Sequence, residues 1–415
     1  MYIVQKFGGT SMGSIERITN VARKVIQEIS NGNKVVVVAS AMSGETNRLV
    51  GLFNEALGDS TQTRETMAEY DSIVSTGEQV SCALLAVILN KMGYESRSMT
   101  GWQLGFETSP HHGSAIIETI QTGKLIELLE GGIIPIVTGF QGFSNETGRQ
   151  TTIGRGGSDT SAIAIAAALK AKRCDIYTDV DGVYTSDPRI VTNARKLNFV
   201  GHEEMLEMAS SGAKVLEPRS VMIGMSHNVD IQVLSSFAQN PNNEIIGTIL
   251  TNDETMMEKR LVTSVTSNKN DVEIKVKGMP NAVDTAAKLF KVLSDAQITV
   301  DMIINEPRIE DLTNIAFTIN ATDLNQTKTL LEANKSVLEY KEYQVREDIA
   351  KVSVIGIGMK VNSGIAYQMF AELAKNNIKP LAISTSEIKV SVLIEQKYEE
   401  LAVRSLHDVF ELGKN

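Results

Sequence analysis

Lys6-Phe7-Gly8-Gly9-Thr10-Ser11 closes a short apolar run, Tyr2-Ile3-Val4, and leads into an amphipathic run at residues 15–29. A cation, two glycines and two hydroxyls at a strand-to-helix turn are the parts of a phosphate-holding site. Glycine lets backbone N–H groups approach an anion, a helix N-terminus favours negative charge, and a lysine neutralises it. The order G-x-x-x-x-G-K-[ST] is absent, so this is a different kind of loop from that nucleotide motif. Alone, the stretch reads sooner as an ordinary strand-to-helix turn, and the rest of the chain reverses that reading.

Outward from it, apolar strands alternate with helical runs up to about residue 250. Lys34-Val35-Val36-Val37-Val38-Ala39, Gly132-Ile133-Ile134-Pro135-Ile136-Val137 and Cys174-Asp175-Ile176-Tyr177-Thr178 read as strands, and residues 77–91 and 158–172 as helices. The second helix is apolar on nearly every face, which predicts burial against a sheet. Alternation of this kind predicts a mainly parallel sheet covered by helices, with ligands beyond the carboxyl ends of its strands.

Composition narrows the function classes. The 415 residues carry a net charge of −10 with no basic cluster, which argues against nucleic acid. No apolar run reaches the roughly 18 residues that would span a bilayer, and the start lacks a signal-peptide pattern. Cys82 and Cys174 are the only cysteines. That excludes a disulfide scaffold and fits a reducing cytoplasm. The adjacent histidines His111 and His112 diverge on any regular element and do not predict zinc.

Residues 251–260 read as a linker, and beyond it lies an internal repeat. Val272-Glu273-Ile274-Lys275-Val276-Lys277-Gly278-Met279 matches Val352-Ser353-Val354-Ile355-Gly356-Ile357-Gly358-Met359 at an offset of 80 residues (358 − 278). The same offset relates Phe290 to Phe370, Leu293 to Leu373, Ile298 to Ile378 and Ile303 to Ile383. Each unit reads strand, glycine turn, helix, strand, strand, a duplicated module. Gly356-Ile357-Gly358 imitates a dinucleotide turn, but the third glycine would fall at Val361.

Four further stretches carry polar chemistry. Residues 39–47 leave the valine strand as a hydroxyl-rich loop holding Ser40 and Thr46, which also reads as a helix cap. Ser75-Thr76-Gly77-Glu78-Gln79 opens a helix, with Glu78 either a dipole-favoured carboxylate or an ammonium binder. Thr151-Thr152-Ile153-Gly154-Arg155-Gly156-Gly157-Ser158-Asp159 lodges an arginine among glycines. There Arg155 suits a carboxylate, and Asp159 suits a cap or the orientation of lysines. Residues 178–189 combine Asp179, Tyr184 and Arg189 in a loop without calcium-site spacing, and Lys214 follows in Gly-Ala-Lys-Val-Leu.

In this order the motifs resemble the aspartate kinases of the amino acid kinase superfamily, over essentially the whole chain. The repeat resembles the paired ACT domains that end those enzymes. The resemblance implies an α/β amino acid kinase fold, a mainly parallel central sheet between helices, at residues 1–250. Two α+β ACT-type domains would follow at 264–340 and 350–412. It implies phosphorylation of the β-carboxylate of L-aspartate by ATP and Mg²⁺, with the metal bound mainly through ATP phosphates. The product, 4-phospho-L-aspartate, enters lysine, threonine and methionine biosynthesis.

By the same resemblance Lys6 stabilises the transferred group with Gly8 and Gly9, and Asp159 organises the lysines. Arg155 clamps the α-carboxylate, Glu78 the ammonium, and Ser40 and Thr46 complete the substrate pocket. Lys6, Phe7, Gly8, Gly9, Ser158, Thr178, Asp179, Tyr184, Arg189 and Lys214 form the nucleotide set. Lysine or threonine would inhibit by binding near Met279, Asp284 and Asn305 and near Met359, Asn362, Ile365, Ser384 and Glu387. Paired sheets from two chains would make a homodimer or a higher homo-oligomer. The rival readings are another amino acid kinase, which should lack the ACT pair, and a non-catalytic amino-acid sensor, which should have lost Lys6, Arg155, Asp159 or Lys214.

Overall fold

The computed structural model describes residues 1–238, 247–252, 260–307, 311–359, 362 and 364–414. Most of the expected linker, and positions 360, 361 and 363 of the second glycine turn, lie outside the described residues. The chain divides into two compact units. One comprises Met1–Tyr184, Lys196–Ser210 and Lys214–Lys259; the other comprises Thr185–Arg195, Ser211–Ala213 and Arg260–Asn415.

The first unit begins with β1 (Tyr2–Phe7), α1 (Ile15–Ser30), β2 (Lys34–Ala39), α2 (Glu45–Leu57), α3 (Arg64–Val74), α4 (Thr76–Lys91) and β3 (Ser96–Met99). Next come β4 (Phe106–Thr108), β5 (Ile117–Ile120), α5 (Gly123–Glu130), β6 (Ile134–Thr138), β7 (Gln141–Ser144), β8 (Arg149–Thr152) and α6 (Gly157–Leu169). β9 (Arg173–Thr178), β10 (Phe199–Val200), α7 (His202–Ser210), α8 (Pro218–His227), β11 (Ile231–Ser235) and β12 (Thr248–Leu250) complete it.

Eight strands form the main sheet in the order β10-β12-β11-β9-β1-β2-β6-β3. From β11 to β3 all neighbours are parallel, while β12 runs antiparallel to β11. The chain starts in the middle at β1, builds outward through β2, and later adds β9 and β11 on the other side. The reversal puts the turn after β1 at the position where open α/β sheets bind ligands. Phe7, Val35, Val37 and Ala39 pack with α1 and α4 residues such as Val21, Val25, Leu85 and Leu89. Alternate strand residues, among them Lys6, point to the opposite face, where α6 lies against β1, β9 and β2. β5-β4-β7-β8 form a smaller separate sheet.

The helical stretch Arg64–Lys91 departs from the expectation that no apolar run is long enough to span a membrane. By length and composition it is, with a mean hydropathy of 1.6 over 18 residues. Half of that window is buried inside the protein, and it carries the buried Glu78.

In the second unit, β13 (Ser264–Asn268), β14 (Asp271–Pro280), α9 (Thr285–Asp295), β15 (Val300–Pro307), β16 (Leu312–Asn320), α10 (Leu324–Ala333), α11 (Lys335–Leu338) and β17 (Glu342–Arg346) come first. β18 (Ile349–Ile355), α12 (Gly364–Lys375), β19 (Ala382–Thr385), β20 (Lys389–Glu395) and α13 (Glu399–Val409) follow. They make two antiparallel sheets, β15-β16-β14-β17 and β13-β18-β20-β19. The 80-residue register is kept in three dimensions: Leu293 and Leu373 are both core residues, and Ile303 and Ile383 are both exposed.

Three features differ from the sequence reading. β13, placed by sequence with the first repeat, is hydrogen-bonded to β18 of the second. In each repeat the last of the expected strands is also followed by a helix, α10 or α13, that the strand pattern did not announce. Third, Thr185–Arg195, inside the expected catalytic segment, belongs to the second unit. Val191 is buried there among Val352, Ile365 and Leu406. Gly356 and Gly358 serve packing: a Cβ on them would meet the Leu261 backbone at 2.4 and 2.6 Å.

Candidate active site

Lys6 sits in register with Val38 of β2 and Ile176 of β9. Its Nζ lies 2.6 Å from Asp159 Oδ1 in the first turn of α6. Both side chains are largely enclosed, so the ion pair is weakly screened. Gly8 is used otherwise than expected. Its N–H donates to Tyr177 O at 3.2 Å and so prolongs the β1–β9 ladder. Gly9 has no acceptor for its N–H among the described residues, and a Cβ on it would stand 3.1 Å from Ala41 O. The Phe7 side chain is fully buried and stacks on Tyr177 with centroids 4.6 Å apart, so it offers a ligand only backbone.

The loop after β2 meets the start of α4. Gly77 makes this possible, since a Cβ there would already be 2.8 Å from Ala41 Cβ. Ser81 Oγ donates to Ser40 O at 2.7 Å. The Ala41 N–H donates to Glu78 Oε1 at 3.1 Å. Glu78 is 2% exposed, and its Oε2 has no hydrogen-bond partner. Burial pushes its carboxyl up to about 7, against the smaller pull of the backbone amides. Thr46 lies in the first turn of α2, whose N-cap Gly44 is left-handed (φ 82°) and supplies no side-chain cap.

The arginine turn leads into α6. Gly154 and Gly156 are left-handed, and Gly156 is the N-cap, so the helix start is not closed by a side chain. Ser158 is buried against Gly139, where a Cβ would be 2.6 Å from Ser158 Oγ. Arg155 is exposed and makes no ion pair among the described residues. Glu217, which the sequence reading missed, packs on Gly156 at a distance that excludes a Cβ there, 2.4 Å. Its carboxyl is raised by burial and by Asp159 and lowered by Arg155, so the three form one electrostatic group. The only local sign of it was its place just before Pro218, at the N-cap of α8.

The exit of β9 closes the other side. Thr178 Oγ1 donates to Asp179 Oδ1 at 3.2 Å, Tyr184 OH donates to Asp181 Oδ1 at 2.9 Å, and Ser236 N–H donates to Thr178 O at 2.8 Å. Ser11 and Ser236 join the β1 and β11 turns through their hydroxyls at 2.5 Å. Lys214 is exposed. Arg189 belongs to the second unit, where it is bidentate on Asp187 at 3.0 and 2.7 Å. Among the described residues no three of His, Cys, Asp and Glu converge as a metal cage.

The expected effector residues lie in the second unit. Met279 and Ile365 are core side chains of the first and second sheet. Asp284 pairs with Lys288 at 2.9 Å, Asn305 Oδ1 accepts from Thr313 Oγ1 at 2.6 Å, and Asn362 Oδ1 accepts from Gly364 N–H at 2.9 Å. Met359 packs at the edge of the second core, Ser384 is half-buried, and Glu387 is exposed. The sequence reading missed Lys351, which is buried with its ammonium on Asp301 and 3.6 Å from Asp271.

The chain matches the amino acid kinase family over residues 1–235 and an ACT domain over residues 352–410. It is 45% identical over 411 residues to an aspartokinase of Bacillus sp. (strain MGA3), covering 99% of this chain and 97% of that protein. E. coli aspartokinase III in complex with aspartate and ADP (R-state) superposes with a TM-score of 0.83 at 26% identity, covering 99% of each chain. The same enzyme in complex with lysine and aspartate (T-state) gives 0.74 at 26% identity, covering 98% of this chain and 99% of that one. With a parallel sheet that ends in the Lys6–Asp159 pair, and with full-length likeness to these enzymes, the chain belongs to the amino acid kinase family as one of its aspartokinases.

Proposed function

We propose that the enzyme transfers the γ-phosphoryl group of ATP to the β-carboxylate of L-aspartate, giving 4-phospho-L-aspartate for lysine, threonine and methionine biosynthesis. The observation that carries this reading is Glu78. A carboxylate with one oxygen buried and unpaired is poorly solvated until a cation arrives, and an α-ammonium is such a cation. Arg155, exposed and without an ion-pair partner among the described residues, suits the α-carboxylate. Ser40 and Thr46 would complete the same pocket.

In the reaction a β-carboxylate oxygen attacks the γ-phosphorus and the bond to the β,γ-bridging oxygen breaks, releasing ADP. The attacking carboxylate is ionised near neutral pH, so the protein needs charge neutralisation and alignment more than a base. Lys6 supplies the cation, and Asp159 holds its ammonium at the carboxyl end of β1. The Gly9 amide and the uncapped start of α6 favour phosphate oxygens. Thr178, Asp179, Tyr184 and Lys214 would hold the remainder of the nucleotide. Mg²⁺ would arrive on the ATP phosphates and neutralise their charge.

The C-terminal repeat would bind lysine, threonine or both as feedback inhibitors, pair between two chains as a homodimer, and work in the cytoplasm. E. coli aspartokinase III, crystallised with lysine and aspartate, supports an amino acid effector. A coupled ADP-release assay with Mg-ATP and L-aspartate, with and without each effector, tests the reading. Aspartate-dependent turnover is expected; turnover only with glutamate or another acceptor would overturn the substrate.

A further inference from the structure

His112, of the histidine pair at 111–112, and Thr152, of the threonine pair at 151–152, play no part in the reading above, yet they converge on one buried acid, Asp71 of α3. Asp71 is fully buried. Its Oδ1 accepts from Thr152 Oγ1 at 2.5 Å and from Gly113 N–H at 3.0 Å. Its Oδ2 accepts from His112 Nδ1 at 2.7 Å and from Gly113 N–H at 3.2 Å. The His112 ring is itself almost wholly enclosed. A buried carboxylate is a costly filler, and an apolar side chain of that size packs a helix at less expense. What a fully satisfied polar network supplies is a unique position.

The position it sets is the root of the arginine turn. The Thr152 carbonyl accepts from Ala115 N–H at 2.9 Å, and Ile153 N–H donates to Phe140 O at 3.0 Å. Arg219 bridges the two walls, donating to Ile153 O at 3.1 Å and to Ala115 O at 3.0 Å. Gly154 then folds over Gly113, whose carbonyl a Cβ would meet at 3.4 Å. Asp71 grips both walls at once, and it lies seven residues before Glu78 (78 − 71) on the adjoining helix.

We propose that Asp71, through His112, Gly113 and Thr152, is a positioning residue that fixes Arg155 relative to Glu78 and so sets the fit of the amino acid substrate. This rests on the reading of Arg155 and Glu78 as carboxylate and ammonium binders. Asp71 touches no substrate; it acts through the turn.

Steady-state kinetics of the full chain test it with Asp71→Asn, Thr152→Val, Thr152→Ser, Arg155→Ala and the Asp71→Asn/Arg155→Ala pair. Asp71→Asn and Thr152→Val should raise the aspartate KM about tenfold or more and leave the ATP KM within about twofold. Thr152→Ser keeps the hydroxyl and should restore the wild-type KM. Asp71→Asn should add nothing to Arg155→Ala, because both act on the same contact. If Asp71→Asn does not fold, the Val and Ser pair carries the test. Equal shifts for both substrates, an unmoved aspartate KM in Thr152→Val, or an additive double variant would overturn the positioning role, even with a lowered Tm. Arg155→Ala reports separately on the clamp: if it leaves the aspartate KM unchanged, the underlying reading fails instead.

Discussion

Glu78 shows how one residue couples burial to chemistry. Its carboxyl, raised to about 7 by burial, is half neutral near physiological pH. The sign for stability follows. The folded protein holds this proton more tightly than the unfolded chain, so the contribution of Glu78 to stability falls as pH climbs from the usual glutamate range through about 7. Binding runs the other way, because only the ionised form attracts an ammonium. The aspartate KM is therefore expected to rise as pH drops below about 7, with the ATP KM unmoved. Glu78→Gln should raise the aspartate KM about 100-fold and remove that limb of the profile; a profile still bending near 7 in the variant would assign it to another group. Lys6→Ala should lower kcat about 100- to 1000-fold while effector binding persists. Calorimetric titration with lysine and threonine reads the second half of that statement.

Among elements, α6 is the most informative. Ala162-Ile163-Ala164-Ile165-Ala166 told the sequence reader that it was buried, and its start at Gly157 is where the pattern placed it within one residue. The glycines before it were legible as permissive, but not what presses on them. Glu217 comes from a segment 61 residues later (217 − 156), and only folding brings it to Gly156. Asp71 was illegible for the same reason: in Arg-Glu-Thr-Met-Ala-Glu-Tyr-Asp an acid looks like any surface acid until its partners arrive from residues 112 and 152. Gly156→Ala meets both a left-handed φ of 62° and the Glu217 side chain, so it should cost at least about 1–2 kcal/mol and most of the activity. Gly51→Ala, inside α2 with open space around it, is the control. It should raise stability by about 0.5–1 kcal/mol and leave kinetics unchanged, by thermal denaturation and the same assay.

For the whole molecule, the kinase-like sheet and the duplicated ACT-type unit were both readable, because each has a local period. Which sheet takes β13, and which unit takes Thr185–Arg195, were not. Ser264-Val265-Thr266-Ser267-Asn268 is a strand wherever it pairs, and its partner β18 begins more than 80 residues later. Asp187-Pro188-Arg189 resembles a ligand loop, whereas its neighbours Ile190, Val191 and Ala194 pack on the core of the second sheet. Val191→Asp should therefore destabilise the second unit by about 3 kcal/mol or more, since it buries an unpaired charge. Chemical denaturation followed by effector response would detect it; an unchanged unfolding midpoint would remove the segment from that core.

At the Tyr184–Thr185 peptide bond the chain first passes from one unit to the other. Thr185 is held within the second unit by His407 through its hydroxyl at 3.0 Å, and by Val265, whose N–H donates to its carbonyl at 2.9 Å. An engineer who cuts this chain near residue 250 to graft on a foreign sensor would strand Val191 and its neighbours in solvent and leave the discarded half with a hole. A workable chimera has to inherit residues 185–195 and 211–213 from the parent of the C-terminal repeat as well, so that the recombination unit is three pieces of chain, not one.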